Sequence, residues 1–172
     1  MQINDIQGWF GEPEISVLTP YVKDLTGLLV EIGSFHGKST LFFRLANPNI
    51  QILTIDVCNE TGILKEHDDG TIVIPDSIDK AVLDQGNIFQ VKGNSHDVVK
   101  RFNWSIDFMF LDALHSYQDT LDSLNEWKVF IKPGHFIACH DYSTAFSGVI
   151  QAVKDSKLKI VEERNGLAVL QP

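Results

Sequence analysis

The sequence predicts an α/β protein with a mainly parallel, doubly wound sheet covered by helices on both faces. Three observations carry this. Short apolar runs alternate with stretches of helical period along the 172 residues, the pattern of strand–helix–strand units. The runs near 28–32, 50–57, 106–111 and 135–139 each end at a polar or glycine residue, as buried strands do where they surface. Near the C-terminus two further runs flank Asn165-Gly166, a strong signal for a tight hairpin that adds an antiparallel strand.

In chain order, residues 1–12 are polar around Trp9-Phe10. Ile15, Leu18, Val22 and Leu25 recur at helical steps over 12–25, with Pro20 placed to kink that helix. A strand at 28–32 leads into a glycine turn and then a helix with Leu41, Phe42 and Leu45 on one face, closed by Asn47-Pro48-Asn49. The second strand ends at Asp56. Residues 58–76 have no clear period and form an excursion or short hairpin. A helix over 77–85, capped by Asp76 or Ser77 and stopped by Gly86, precedes a third strand at 88–91. A short helix at 97–101 leads to the fourth strand, 106–111. The next helix presents Tyr117, Leu121 and Leu124, and a fifth strand, 135–139, ends in His140-Asp141. A helix over 145–156 precedes hairpin strands 158–163 and 167–171.

Composition bounds the function. The apolar fraction of 44% and charged fraction of 22% are those of a soluble globular chain. A net charge of −9 argues against nucleic acid or an anionic membrane as partner, since both need a basic footprint. Cys58 and Cys139 lie beside apolar runs and read as reduced core thiols of a cytoplasmic protein. The N-terminus has no signal-peptide pattern, and no run is long enough to span a membrane.

In open parallel sheets, ligands bind outside the carboxyl ends of the strands. The polar residues Gly33, Asp56, Asn94-Ser95, Asp112 and His140-Asp141 all fall there. Glycines at 33 and 37 allow a sharp turn, and the helix after them points free N–H groups at whatever occupies it. Gly37-Lys38-Ser39-Thr40 looks like the tail of a phosphate-binding P-loop, but only three residues separate Gly33 from the Gly-Lys pair where four are needed. The other reading takes Glu31, Gly33 and Gly37 with Asp56, whose carboxylate is placed to grip ribose hydroxyls. Glu31 can then help hold a ligand ammonium group. Asp112 and Asp141 face one another if their strands are neighbours, and two converging carboxylates invite a divalent ion.

These segments resemble the class I S-adenosylmethionine-dependent methyltransferases, and more closely a small metal-dependent branch with macrolide sugar O-methyltransferases and cephalosporin hydroxylase-like proteins. The matching motifs are Val30-Glu31-Ile32-Gly33-Ser34 with Gly37-Lys38-Ser39-Thr40, then Gly93-Asn94-Ser95, then Ile106 to Tyr117, then Lys132-Pro133-Gly134 with His140-Asp141-Tyr142. The resemblance implies a single domain over 1–172, with 1–27 as a covering segment and helix. It implies a Rossmann-like seven-stranded sheet of order 3-2-1-4-5-7-6, strand 7 antiparallel. It implies S-adenosylmethionine held by Glu31, Gly33, Ser34, Gly37, Ser39, Asp56, Asn94, Ser95 and Asp112. Asp112, His140 and Asp141 are the implied ligands of a divalent metal, with Mg²⁺ or Mn²⁺ expected; His140 stands where many relatives carry an acid. His115 matches the general base. The expected reaction is methyl transfer to a hydroxyl of a sugar or other small molecule, in a monomer or a homo-oligomer. A P-loop-like NTPase, a metal-dependent hydroxylase and a non-catalytic relative are the alternatives.

Overall fold

The computed structural model describes residues 1–58 and 77–172, together with the backbone of two short strands, 64–66 and 70–72. In order the elements are α1 (Glu12–Val22), β1 (Leu28–Ile32), α2 (Lys38–Ala46), β2 (Gln51–Asp56), β3 (Leu64–Glu66), β4 (Gly70–Ile72), α3 (Lys80–Leu83), β5 (Ile88–Lys92), α4 (Ser95–Val98), β6 (Ile106–Leu111), α5 (Tyr117–Trp127), β7 (Ile131–Cys139), α6 (Ser147–Asp155), β8 (Lys159–Arg164) and β9 (Leu167–Gln171). The main sheet is seven-stranded with order β5-β2-β1-β6-β7-β9-β8. Counting only its own strands, that is 3-2-1-4-5-7-6, as expected. All neighbours are parallel except at β9, which runs antiparallel to both β7 and β8.

Strand alternation splits the core in two. Leu29, Ile52, Phe108 and Phe110 face α1 and α2 and pack on Leu18, Val22, Leu41 and Phe43. Val30, Ile55, Met109 and Leu111 face α5 and α6 and pack on Leu124, Trp127, Val149 and Val153. Every residue of β6 is buried, as befits the middle of a sheet covered on both sides. Phe10 pins the N-terminal segment to the first layer, 5.2 Å from Phe42 and 5.9 Å from Phe110 between ring centroids.

Local expectations needed correction in several places. The buried arc of α2 centres on Phe43, and Leu45, about 200° further round the helix, is turned outward at 46% exposure. Tyr117 is exposed at the entrance of α5, whose buried face is Thr120, Ser123, Leu124 and Trp127. Helix α3 is only one turn, capped by the Asp79 carboxylate, which accepts from the Ala81 N–H at 2.8 Å; Asp76 lies outside the described residues. Helix α4 starts two residues early because the Asn94 side chain caps it, accepting from the His96 N–H at 2.8 Å. Strand β7 begins at Ile131, not 135, and accommodates Pro133 by a register shift against β6. Within 58–76, β3 and β4 form the antiparallel pair of a hairpin, while residues 67–69 lie outside the described residues.

Candidate active site

The turn after β1 is built by backbone conformations that side chains rarely adopt. Gly33 has φ +86° and Gly37 φ +89°, with Gly37 as N-cap of α2. Asp56, at the end of the adjacent strand, fixes the turn: its Oδ2 accepts the N–H groups of Ser34 and Phe35 at 2.8 and 2.9 Å, and its Oδ1 that of Cys58 at 3.1 Å. Oδ2 is thus fully used by the turn, and Oδ1 keeps one lone pair for a ligand.

Glu31 shares its strand face with Leu29, the face on which α2 packs, so its carboxylate enters the helix layer. There it is fully buried and accepts the hydroxyls of Ser39 and Thr40. Burial raises its pKa from 4.5 to about 7, against the pull of these hydroxyls. The folded state therefore holds this proton more tightly than the unfolded chain. Its stabilisation is full below about pH 4.5 and is lost as pH rises through about 7. At 1.36 kcal/mol per unit the loss is about 3 kcal/mol. In urea denaturation at pH 5 and pH 8, wild type should lose about this much stability relative to Glu31→Gln. A pH-independent offset between the two proteins would contradict the assignment.

A cavity of about 600 Å³ opens at the carboxyl ends of β1, β2, β5, β6 and β7, a volume suited to a small-molecule ligand. It brings together Gly33, Ser34, Ser39, Asp56, Asn94, Ser95, Asp112, His115, His140 and Asp141. Glu31 and Gly37 do not line it; they shape the turn from behind. The Ser34 hydroxyl is buried in this wall with no partner among the described residues. Lys38 also lines the cavity, and its Nζ donates to the Gly8 carbonyl at 3.1 Å, tying down the N-terminal segment. Trp9 on that segment stacks against Phe35 at 5.4 Å between ring centroids while remaining 67% exposed.

At one end of the cavity two carboxylates and two imidazoles converge. His115 Nε2 lies 2.9 Å from Asp141 Oδ2 and 3.6 Å from Asp112 Oδ1. His140 Nδ1 lies 3.2 Å from Asp112 Oδ1 and 3.3 Å from Asp141 Oδ2, yet it makes no directed hydrogen bond although it is buried. Asp112 and Asp141 hold the His115 ring up at about 9. Burial works against the charge on His140, but the same two carboxylates raise it to about 10. Burial would raise Asp112 and Asp141, but the imidazoles hold both below the ordinary carboxylate range. Asp141 sits at φ +56°, a backbone cost that turns its carboxylate into the cluster.

One oxygen each from Asp112 and Asp141 and one His115 nitrogen lie within 4.8 Å of one another, close enough to hold a metal ion. The orphaned His140 Nδ1 offers a fourth donor. Mixed carboxylate and imidazole ligands fit a divalent ion of the Mn²⁺ type, and Mg²⁺ through the carboxylates. His115, expected as a base, thus stands within ligand distance as well.

The model of the family described as a methyltransferase domain matches residues 30–142, a span running from the first cavity-lining turn past Asp141. The chain belongs to this family. Solved structures share its fold. An O-methyltransferase from Bacillus cereus in complex with SAH aligns with a TM-score of 0.67 at 14% identity, over 98% of this chain and 86% of that one. CalS11, a TDP-rhamnose 3'-O-methyltransferase of calicheamicin biosynthesis, aligns at 0.65 and 18% identity, over 92% and 76%. MycE, a mycinamycin-pathway methyltransferase in complex with Mg and SAH, aligns at 0.60 and 14% identity, over 92% of this chain but 48% of its own. No curated protein matches in sequence. By family and fold the protein is a class I, S-adenosylmethionine-dependent methyltransferase.

Three wall residues of the methyltransferase were not foreseen. Glu14 comes from the first turn of α1, with its Oε1 3.9 Å from His140 Nε2. Phe146 meets the His115 ring edge-on at 4.7 Å. Asp119 comes from the first turn of α5. None of them ends a strand, which was the signal used to find the others.

Proposed function

We propose that this methyltransferase transfers the methyl group of S-adenosylmethionine to a hydroxyl of a sugar or other small molecule, assisted by a divalent metal. The observation that carries this reading is the convergence of Asp112, His115, His140 and Asp141 at one end of the cofactor-sized cavity. The sugar substrate named for CalS11 and the Mg bound to MycE add support.

In this reading the N–H groups at the start of α2 and the Ser34 hydroxyl meet the amino-acid tail, and Asp56 takes a ribose hydroxyl with the lone pair left on Oδ1. Asp112, His140 and Asp141 would hold the cation. When bound, it supplies Lewis acidity to the acceptor oxygen and takes over from the imidazoles the neutralisation of the two carboxylates. A bond forms between the acceptor oxygen and the methyl carbon as the carbon–sulfur bond breaks. The hydroxyl proton goes to His115 Nε2, which Phe146 helps to orient. Alignment of oxygen, carbon and sulfur is the protein's main contribution.

Calorimetric titration with S-adenosylmethionine and with ATP, each with and without Mn²⁺ or Mg²⁺, tests the reading, followed by methyl transfer to vicinal-diol sugars. Binding of ATP without binding of S-adenosylmethionine would overturn it. The division of labour between the two histidines has its own test. His140→Ala should weaken Mn²⁺ binding about 10- to 100-fold. His115→Ala should leave Mn²⁺ affinity within about threefold while lowering turnover about 10²- to 10⁴-fold. Loss of Mn²⁺ affinity in His115→Ala would make that residue a ligand instead.

A further inference from the structure

Part of the cavity wall is made by Asn94, Ser95 and Asp119. Asn94 is the N-cap of α4, a single turn too short to persist on its own hydrogen bonds, and Asp119 lies in α5. A polar clamp joins the two elements. His96 Nδ1 lies 2.6 Å from Glu126 Oε2, and His96 Nε2 lies 3.1 Å from Asp119 Oδ1. The same residue's N–H donates to the Asn94 side chain at 2.8 Å, so ring and backbone together set the position of Asn94. His96 itself does not line the cavity.

We propose that His96 is a positioning residue for the cofactor: by bridging Asp119 and Glu126 it draws the Asn94–Ser95 turn against α5 and closes that end of the S-adenosylmethionine pocket. The inference rests on the cofactor reading above. Its chemistry follows from the donor count. Both ring nitrogens face carboxylates, and only the imidazolium can donate to both. The neutral ring donates to one carboxylate and turns a lone pair toward the other. The clamp is therefore complete when His96 is protonated and half-broken when it is not.

The charged groups around the ring are few. From α5 they are Asp119 and Glu126; on its own side, Asp97 and Lys100 are paired with each other at 2.7 Å. Burial alone would lower the His96 pKa, but the Glu126 and Asp119 carboxylates reverse this and raise it. The closed wall thus extends above the ordinary histidine range and opens as pH rises through the raised value.

The test measures the Kd for S-adenosylmethionine by calorimetry from pH 6 to 9 in wild type, His96→Gln and Glu126→Gln. Glu126 does not line the cavity, so its removal reports on the clamp alone. Wild type should bind less tightly toward high pH. His96→Gln should bind about tenfold more weakly at pH 6 and lose the pH dependence, because the amide has both N–H donors on one nitrogen and an acceptor oxygen at its other end, and does not titrate. Glu126→Gln should shift the weakening to lower pH. Wild-type affinity and pH profile in His96→Gln would overturn the proposal. So would a lowered Tm in that variant with unchanged Kd, since that marks a merely structural residue. If wild type itself does not bind S-adenosylmethionine, the cofactor reading fails instead.

Discussion

Replacing Asp112 with asparagine should reduce methyl transfer by about 10³-fold, roughly 4 kcal/mol of lost transition-state stabilisation, and should weaken Mn²⁺ binding in the same protein. Asp112 shares the two histidines with Asp141, and its place in the fold makes it the costlier of the two to lose. It approaches both histidines, with Oδ1 3.6 Å from His115 Nε2 and 3.2 Å from His140 Nδ1. It also follows β6 directly, and its backbone N–H donates to the Ile32 carbonyl at 2.9 Å, so it is placed at the seam between the cofactor turn and the acidic cluster. Asparagine keeps the shape and the backbone bond but removes the charge. One carboxylate, Asp141, is then left to face two imidazoles, and the site loses half its negative charge for a cation. The measurements are Mn²⁺ titration and single-turnover methyl transfer. Full activity in the variant would remove the acidic cluster from the reaction, and with it the metal-assisted reading.

The sheet was legible because a parallel sheet covered on both faces writes its strands as continuous apolar runs. Ile106 to Leu111 is such a run, broken only by Asp107, and all six residues are buried. Most of the candidate site was legible for a related reason: Gly33, Asp56, Asp112, His140 and Asp141 each follow directly on such a run, and the fold delivers strand ends to one edge. Helix faces were harder to read. In α2 and α5 the buried arc is chosen by what the sheet and the N-terminal segment offer, so Phe43 and Trp127 go inside while Leu45 and Tyr117 do not. Glu14 and Phe146 were invisible because they reach the cavity from elements that end no strand. Glu31 could have been placed by parity alone: it shares its strand face with Leu29, and α2 must cover that face, which directs the carboxylate to Ser39 and Thr40.

Gly33→Ala should be the most destabilising single-methyl change in the site. The residue holds φ +86°, in the left-handed region, where a Cβ costs about 1–2 kcal/mol. Space is the larger difficulty: a Cβ built there falls 1.9 Å from the Asp112 carbonyl oxygen and 2.6 Å from its carbon, backbone atoms that cannot rotate away. Relief requires β1 and β6 to separate at their carboxyl ends, where the Asp112 N–H donates to the Ile32 carbonyl at 2.9 Å. Overpacking of this kind adds about 1–3 kcal/mol, for a total of roughly 2–5 kcal/mol and a fall in Tm of about 10 °C in a chain of this size. The separation that relieves the clash also moves Asp112 away from the turn, so S-adenosylmethionine affinity should fall together with Tm. Gly166→Ala is the control, since it has a similar φ of +74° but nothing within 4 Å of its Cβ. It should carry the conformational cost alone, about 1–2 kcal/mol, and leave cofactor binding intact. Equal losses in the two variants would mean that strain, not the contact with Asp112, determines the glycine.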